Sequence, residues 1–224
     1  MRLKHGWHVA FIATALMQAA PAFAAPQHVV SLLVCTDEYV FRLLPRERIA
    51  ALSYLAADRH PVVSTIADEV KGIPLIRQTA EAVLAQHPDL VVTYQGVNQN
   101  LHELMRAAGV PVLDIPWANS LDDVRRVTRL LGERLGEPAR ADALLAQMDR
   151  QLAAVHAVSP PVATLIYEPN GYVTADGVTD EIMAASGLRN VGGEMHQTRL
   201  GTVPVESIVA MPPELLILND SREA

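Results

Sequence analysis

Short apolar runs rich in β-branched residues alternate along the chain with stretches of helical period. The runs at 29–34, 49–55, 90–93, 110–115, 162–167 and 215–218 read as strands. Residues 37–44, 101–108 and 179–186 read as helices between them. Thr36 is placed as the N-cap of the first, and Gly109 and Gly187 stop the other two. This alternation predicts an α/β fold with a mostly parallel sheet. The middle of the chain differs. Ser120, Asp122 and Asp123 form a helix start, a hydroxyl cap followed by acids in the first turn. Helical pattern then runs to residue 158, broken once at Gly132, Gly136 and Pro138. The second piece, 139–158, would span roughly 30 Å at 1.5 Å per residue, enough for a rigid strut between two lobes. Ser159-Pro160-Pro161 ends it.

An internal repeat supports two lobes. Residues 81–92 and 206–217 align without a gap, 125 positions apart, one copy on each side of the strut. In both, a glutamate (Glu81, Glu206) opens a short helix. A proline and an acid (Pro88-Asp89, Pro213-Glu214) then lead into an apolar strand.

Composition narrows the function. Half of the 224 residues are hydrophobic and 19% are charged, which excludes a disordered chain. A net charge of -7 without any Lys/Arg cluster argues against nucleic-acid binding. Arg2, Lys4 and His5, an apolar stretch at 9–17 and Ala22-Phe23-Ala24 have the three-part layout of a secretory signal peptide, with cleavage expected after Ala24. The one cysteine, Cys35, cannot form an internal disulfide and is read as a buried strand-end thiol. Val34 is too bulky to precede a lipoprotein cysteine. His28, His60, His87 and His102 are scattered, so no metal site or cofactor is expected. No P-loop, dinucleotide fingerprint, nucleophile elbow or zincin motif is present, and no nucleophile–base pair follows from spacing.

Ligands of open α/β sheets bind beyond the carboxyl ends of the strands. That rule selects Tyr54 and Asp58 after the second strand, Tyr94, Gln95 and Asn98 after the next, and Trp117 after 110–115. In the second half it selects Tyr167, Asn170 and Tyr172. Aromatic residues make up only 4% of the chain, so their gathering in these loops suits a bulky planar or macrocyclic ligand. Arg199 and His196 lie in a Gly-rich stretch, 192–201, that could form a flap; Arg199 could pair with a carboxylate or catecholate. The expected binding set is Tyr54, Tyr94, Gln95, Trp117, Tyr172 and Arg199.

In order and spacing, several segments resemble the helical-backbone class of periplasmic binding proteins that serve ABC importers for ferric siderophores, cobalamin and haem. They are the N-terminal leader, the start at 29–44, the segment at 81–92, Ala108-Gly109-Val110-Pro111-Val112, the long helix and residues 185–190. The resemblance covers essentially the whole mature chain. It implies two doubly wound α/β lobes joined by a long backbone helix: signal 1–24, N-terminal lobe 25–118, helical linker 119–158 and C-terminal lobe 159–224. It implies a monomeric periplasmic solute-binding protein, not an enzyme, delivering a metal chelate to an ABC permease dimer. Ferric siderophore or cobalamin is favoured as the cargo. Glu81 and Glu206 match the carboxylates that dock on permease arginines. Members of the class continue for further helix–strand units after the segment matching 215–219, so an incomplete C-terminal lobe is expected. The alternatives are an exported α/β enzyme acting on a small molecule, or a nonfunctional remnant of a binding protein.

Overall fold

A computed structural model describes residues 24–59, 63–195 and 200–218. The leader expected at 1–24 falls almost wholly outside them. The N-terminal lobe runs β1 (Val29–Ser31), α1 (Val34–Leu43), β2 (Ile49–Ser53), β3 (Leu75–Ile76), α2 (Ala80–Leu84), β4 (Leu90–Tyr94), α3 (Gln99–Ala107) and β5 (Val112–Ile115). Its five strands are parallel in the order β3-β2-β1-β4-β5. From β1 the chain builds outward to β3, then crosses back to β4 on the other side. The direction of winding therefore switches between β1 and β4, where an open sheet offers a crevice at its carboxyl edge.

Strand pleating divides the apolar runs between two faces. Val29, Leu52 and Val92 pack with Val40, Leu43, Val127 and Leu131 on one side, and Val30, Ala51 and Val91 pack with Val83, Leu101 and Met105 on the other. Both faces are buried, as parallel strands require.

Two N-terminal expectations are corrected. Helix α1 begins at Val34, earlier than residue 37, so Thr36 is its third residue and not its cap. The Thr36 hydroxyl turns back, donating to the Leu33 carbonyl at 2.8 Å and accepting the Leu33 N–H at 3.2 Å. Cys35 therefore lies in the first turn of a helix, and it is exposed, not a buried strand-end thiol.

The linker comprises α4 (Leu121–Leu135) and α5 (Pro138–Ala153). The Ser120 hydroxyl accepts the Asp123 N–H at 3.0 Å, and Gly136 closes α4 at a φ of 73°. Gly132 is required by close packing: a Cβ there would lie 2.5 Å from that of Ala141 on α5. Helix α5 stops at Ala153, five residues before the expected 158. Its 16 residues span about 24 Å. The Val158 N–H donates to the Ser186 carbonyl at 3.0 Å, a bond that competes with continued helix, and the prolines beyond already disfavour helical backbone.

The C-terminal lobe runs β6 (Val162–Tyr167), β7 (Tyr172–Thr174), α6 (Val178–Ala185), β8 (Leu188–Asn190), α7 (Gly192–Met195), β9 (Leu200–Thr202), α8 (Val205–Ala210) and β10 (Leu215–Leu218). Strands β10-β6-β8 form a parallel sheet, and β7 pairs antiparallel with β9. Leu165, Val173, Val191 and Val203 form its small core. The repeat is realised in space: α2–β4 lies beside β1 as α8–β10 lies beside β6.

Candidate ligand-binding site

Strand register assembles the site at the carboxyl edge of the first sheet. Tyr94 pairs with Ile115, so Gln95 and Trp117 leave their strands side by side. The Trp117 indole N–H donates to the Gln95 carbonyl at 3.3 Å. The Trp117 ring lies parallel to Tyr94, with 4.1 Å between centroids and 6° between planes. Tyr94 is 5% exposed and Trp117 is 52% exposed. Tyr94 is thus the buried half of an aromatic platform whose open face belongs to Trp117. Burial, reinforced by Cys35 and Tyr39, pushes the Tyr94 phenol well above its ordinary pKa, so it stays neutral.

A second cluster forms on the other side of β1. Ser53 pairs with Ile76, which brings the following residues, Tyr54 and Arg77, together. The Arg77 guanidinium carbon lies 5.3 Å from the centroid of the exposed Tyr54 ring. Arg77 escaped the sequence reading because β3 has two residues, too short to announce itself. At the end of β2, the Asp37 carboxylate is buried and accepts the Ser53 hydroxyl at 2.6 Å and the Ser53 N–H at 3.2 Å. Burial raises the Asp37 pKa, against the lowering effect of Ser31 and Ser53. In the fold, Asp37 anchors the end of β2 and Glu38 accepts both the N–H and the hydroxyl of Thr65, at 2.7 and 2.6 Å.

Tyr172 opens β7 in the C-terminal lobe and is 44% exposed. Three other loop residues have structural roles. Asn98 caps α3 by accepting the Leu101 N–H at 3.3 Å, the Tyr167 hydroxyl donates to the Val203 carbonyl at 3.2 Å, and Asn170 adopts a left-handed turn. Arg199 and His196 lie outside the described residues. Among the described residues, no three His, Cys, Asp or Glu side chains gather to hold a metal ion, and no helix is long and apolar enough to cross a membrane. A cavity of about 750 Å³ lies where the strands begin, lined by Pro26, Asp89, Pro111 and Gly136, at the end opposite the aromatic loops.

Glu81 and Glu206 each occupy the second position of a short helix, α2 and α8, and both are exposed. The fold thus presents one such carboxylate per lobe.

Residues 56–224 match the model of the family described as periplasmic binding protein, and the chain belongs to that family. It is 26% identical over 212 residues to a cobalamin-binding protein of Halobacterium salinarum, a match covering 88% of this chain and 55% of that protein. It is 21% identical over 215 residues to an uncharacterized ABC transporter substrate-binding lipoprotein of Bacillus subtilis, covering 89% of this chain and 65% of the relative. The chain thus spans little more than half the length of the first and about two thirds of the second. Among solved structures, the periplasmic heme-binding protein RhuT of Roseiflexus sp. RS-1 superposes with a TM-score of 0.69 at 24% identity, covering 86% of this chain and 76% of the other.

Proposed function

We propose that this chain is an extracytoplasmic binding protein that captures a metal chelate at the carboxyl edge of its N-terminal sheet and delivers it to an ABC importer. The observation that carries this reading is the Tyr94–Trp117 stack, a rigid aromatic platform with one open face at the edge where α/β sheets take ligands. Corrins, porphyrins and siderophore complexes offer broad faces to such a surface. The Tyr54–Arg77 pair adds a cation for peripheral carboxylates, and Tyr172, Gln95 and Arg199 complete the proposed contacts. Relatives described as binding cobalamin and haem support the ligand class. A leader cleaved after Ala24 would place the mature, monomeric protein in the periplasm.

Glu81 and Glu206 serve docking in this account, two exposed carboxylates registering the two lobes on a permease dimer. Reversing both charges should abolish uptake in cells while chelate binding by the purified protein persists. Loss of binding in the double variant would remove the docking role.

A further inference from the structure

The loop that carries Trp117, residues 116–120, joins β5 to α4 and ends at the α4 N-terminus. A helix start leaves backbone N–H groups without helical partners. Here two of the bonds at this start are local. Asp123 N–H goes to the Ser120 hydroxyl at 3.0 Å, and Asn119 N–H goes to the Asp123 carboxylate at 2.9 Å. The Leu121 N–H instead donates 2.7 Å to the carboxylate of Glu181, 60 residues away in the first turn of α6. Glu181 belongs to the C-terminal lobe, and the bond falls four residues after Trp117. A charge-assisted bond at a helix N-terminus is favoured both by the ionised acceptor and by the helix dipole.

We infer that Glu181 is a positioning residue: it reaches across from the C-terminal lobe and fixes the loop that holds Trp117 against Tyr94. The position of one lobe is thereby coupled to the aromatic platform of the other. A ligand pressing on Trp117 pulls on α6 through one backbone group, and displacement of α6 loosens the platform. The consequence for ligand binding rests on the function proposed above; the mechanical coupling does not.

The coupling is tested without ligand, in the 224-residue chain carrying Trp7→Phe so that Trp117 is the sole tryptophan. Two readouts are compared in Glu181→Ala and Glu181→Gln. One is iodide quenching of Trp117. The other is the distance distribution between spin labels on exposed positions of α3 and α8, introduced as Glu103→Cys and Val209→Cys with Cys35→Ser. In Glu181→Ala, loss of the bond should lower the ratio of latched to unlatched molecules about tenfold. The distance distribution widens and Trp117 becomes more accessible together. Glu181→Gln keeps an acceptor for the Leu121 N–H but loses its charge, and should fall between wild type and Glu181→Ala in both. Unchanged readouts in Glu181→Ala would overturn the inference. So would a wider distribution with unaltered Trp117 quenching, which would leave a lobe contact but no positioning. Haemin and cyanocobalamin titrations of the same variants judge the ligand assignment separately: a protein that binds neither can still show the coupling.

Discussion

Asp89 and Glu214 occupy equivalent places in the two halves of the repeat and make the same kind of bond. Asp89 accepts the Gln27 and His28 N–H groups at 2.6 and 3.0 Å, just before β1; Glu214 accepts the Ala163 N–H at 3.1 Å, at the start of β6. Each acid precedes a strand and pins the central strand of its own sheet. Asp89→Ala should therefore destabilise the protein by about 1 kcal/mol, discounted for solvent exposure, and Glu214→Ala by less, having one bond to lose. Urea unfolding midpoints of the two variants check the order.

Arg48 ties the N-terminal lobe to the linker. Its guanidinium, nearly buried, donates to the Glu137 carboxylate at 2.6 Å, the Leu135 carbonyl at 2.5 Å and the Pro26 carbonyl at 2.8 Å. Removing it strands Glu137 and leaves two carbonyls unpaired. Arg48→Ala is predicted to cost about 3 kcal/mol in urea unfolding. Arg48→Met, which keeps the packing of the stem, should recover only a part of the loss.

Asp37 gives a pH dependence of known sign. Its folded pKa is raised by burial, so the folded state holds the proton more tightly than the unfolded chain does. The resulting stabilisation is present below the unfolded value of about 3.9 and is lost as pH rises through the raised folded value. Asp37→Asn stays neutral and escapes that loss. Its stability relative to wild type should therefore improve as pH rises from about 3.9 through the raised folded value. A difference that stays flat across this range would show that the carboxylate titrates as if exposed.

Much of the fold was legible because apolar runs with turn chemistry at their ends have few other readings. Residues 162–167 and 215–218 are strands in the fold with the bounds read from their pattern, and Gly109, Ser120 and Gly187 act as the stops and cap assigned to them. What was illegible depended on tertiary partners. Thr36 has the chemistry of a cap, yet Ser31 and Leu33 draw its hydroxyl backward and the helix begins earlier. The prolines at 160 and 161 put the end of the helix near residue 158; the stop at Ala153 goes with a bond that sequence does not state, from the Val158 N–H to the Ser186 carbonyl 28 residues beyond. The loops rich in aromatics were identifiable, but the burial of Tyr94 beneath Trp117 follows from β4–β5 register, which sequence does not state. Arg77 became visible only through its pairing beside Tyr54.

The stack predicts a division of labour between its two rings. Tyr94→Phe retains the buried ring and removes a phenol that stays neutral, so chelate affinity should change less than about threefold. Trp117→Ala removes the exposed face and should weaken binding by about tenfold or more. Isothermal titration separates the two. Equal losses would mean that the phenol itself contacts the ligand.

The central claim is that a metal chelate binds on the Trp117 face. It is tested most directly by titrating Trp117 fluorescence, in the Trp7→Phe background, with cyanocobalamin, haemin and a ferric hydroxamate siderophore. The account predicts saturable, stoichiometric quenching by at least one of them, weakened by Tyr94→Ala and by Arg77→Ala. A folded protein whose Trp117 responds to none of the three, or whose response survives both substitutions unchanged, would contradict it.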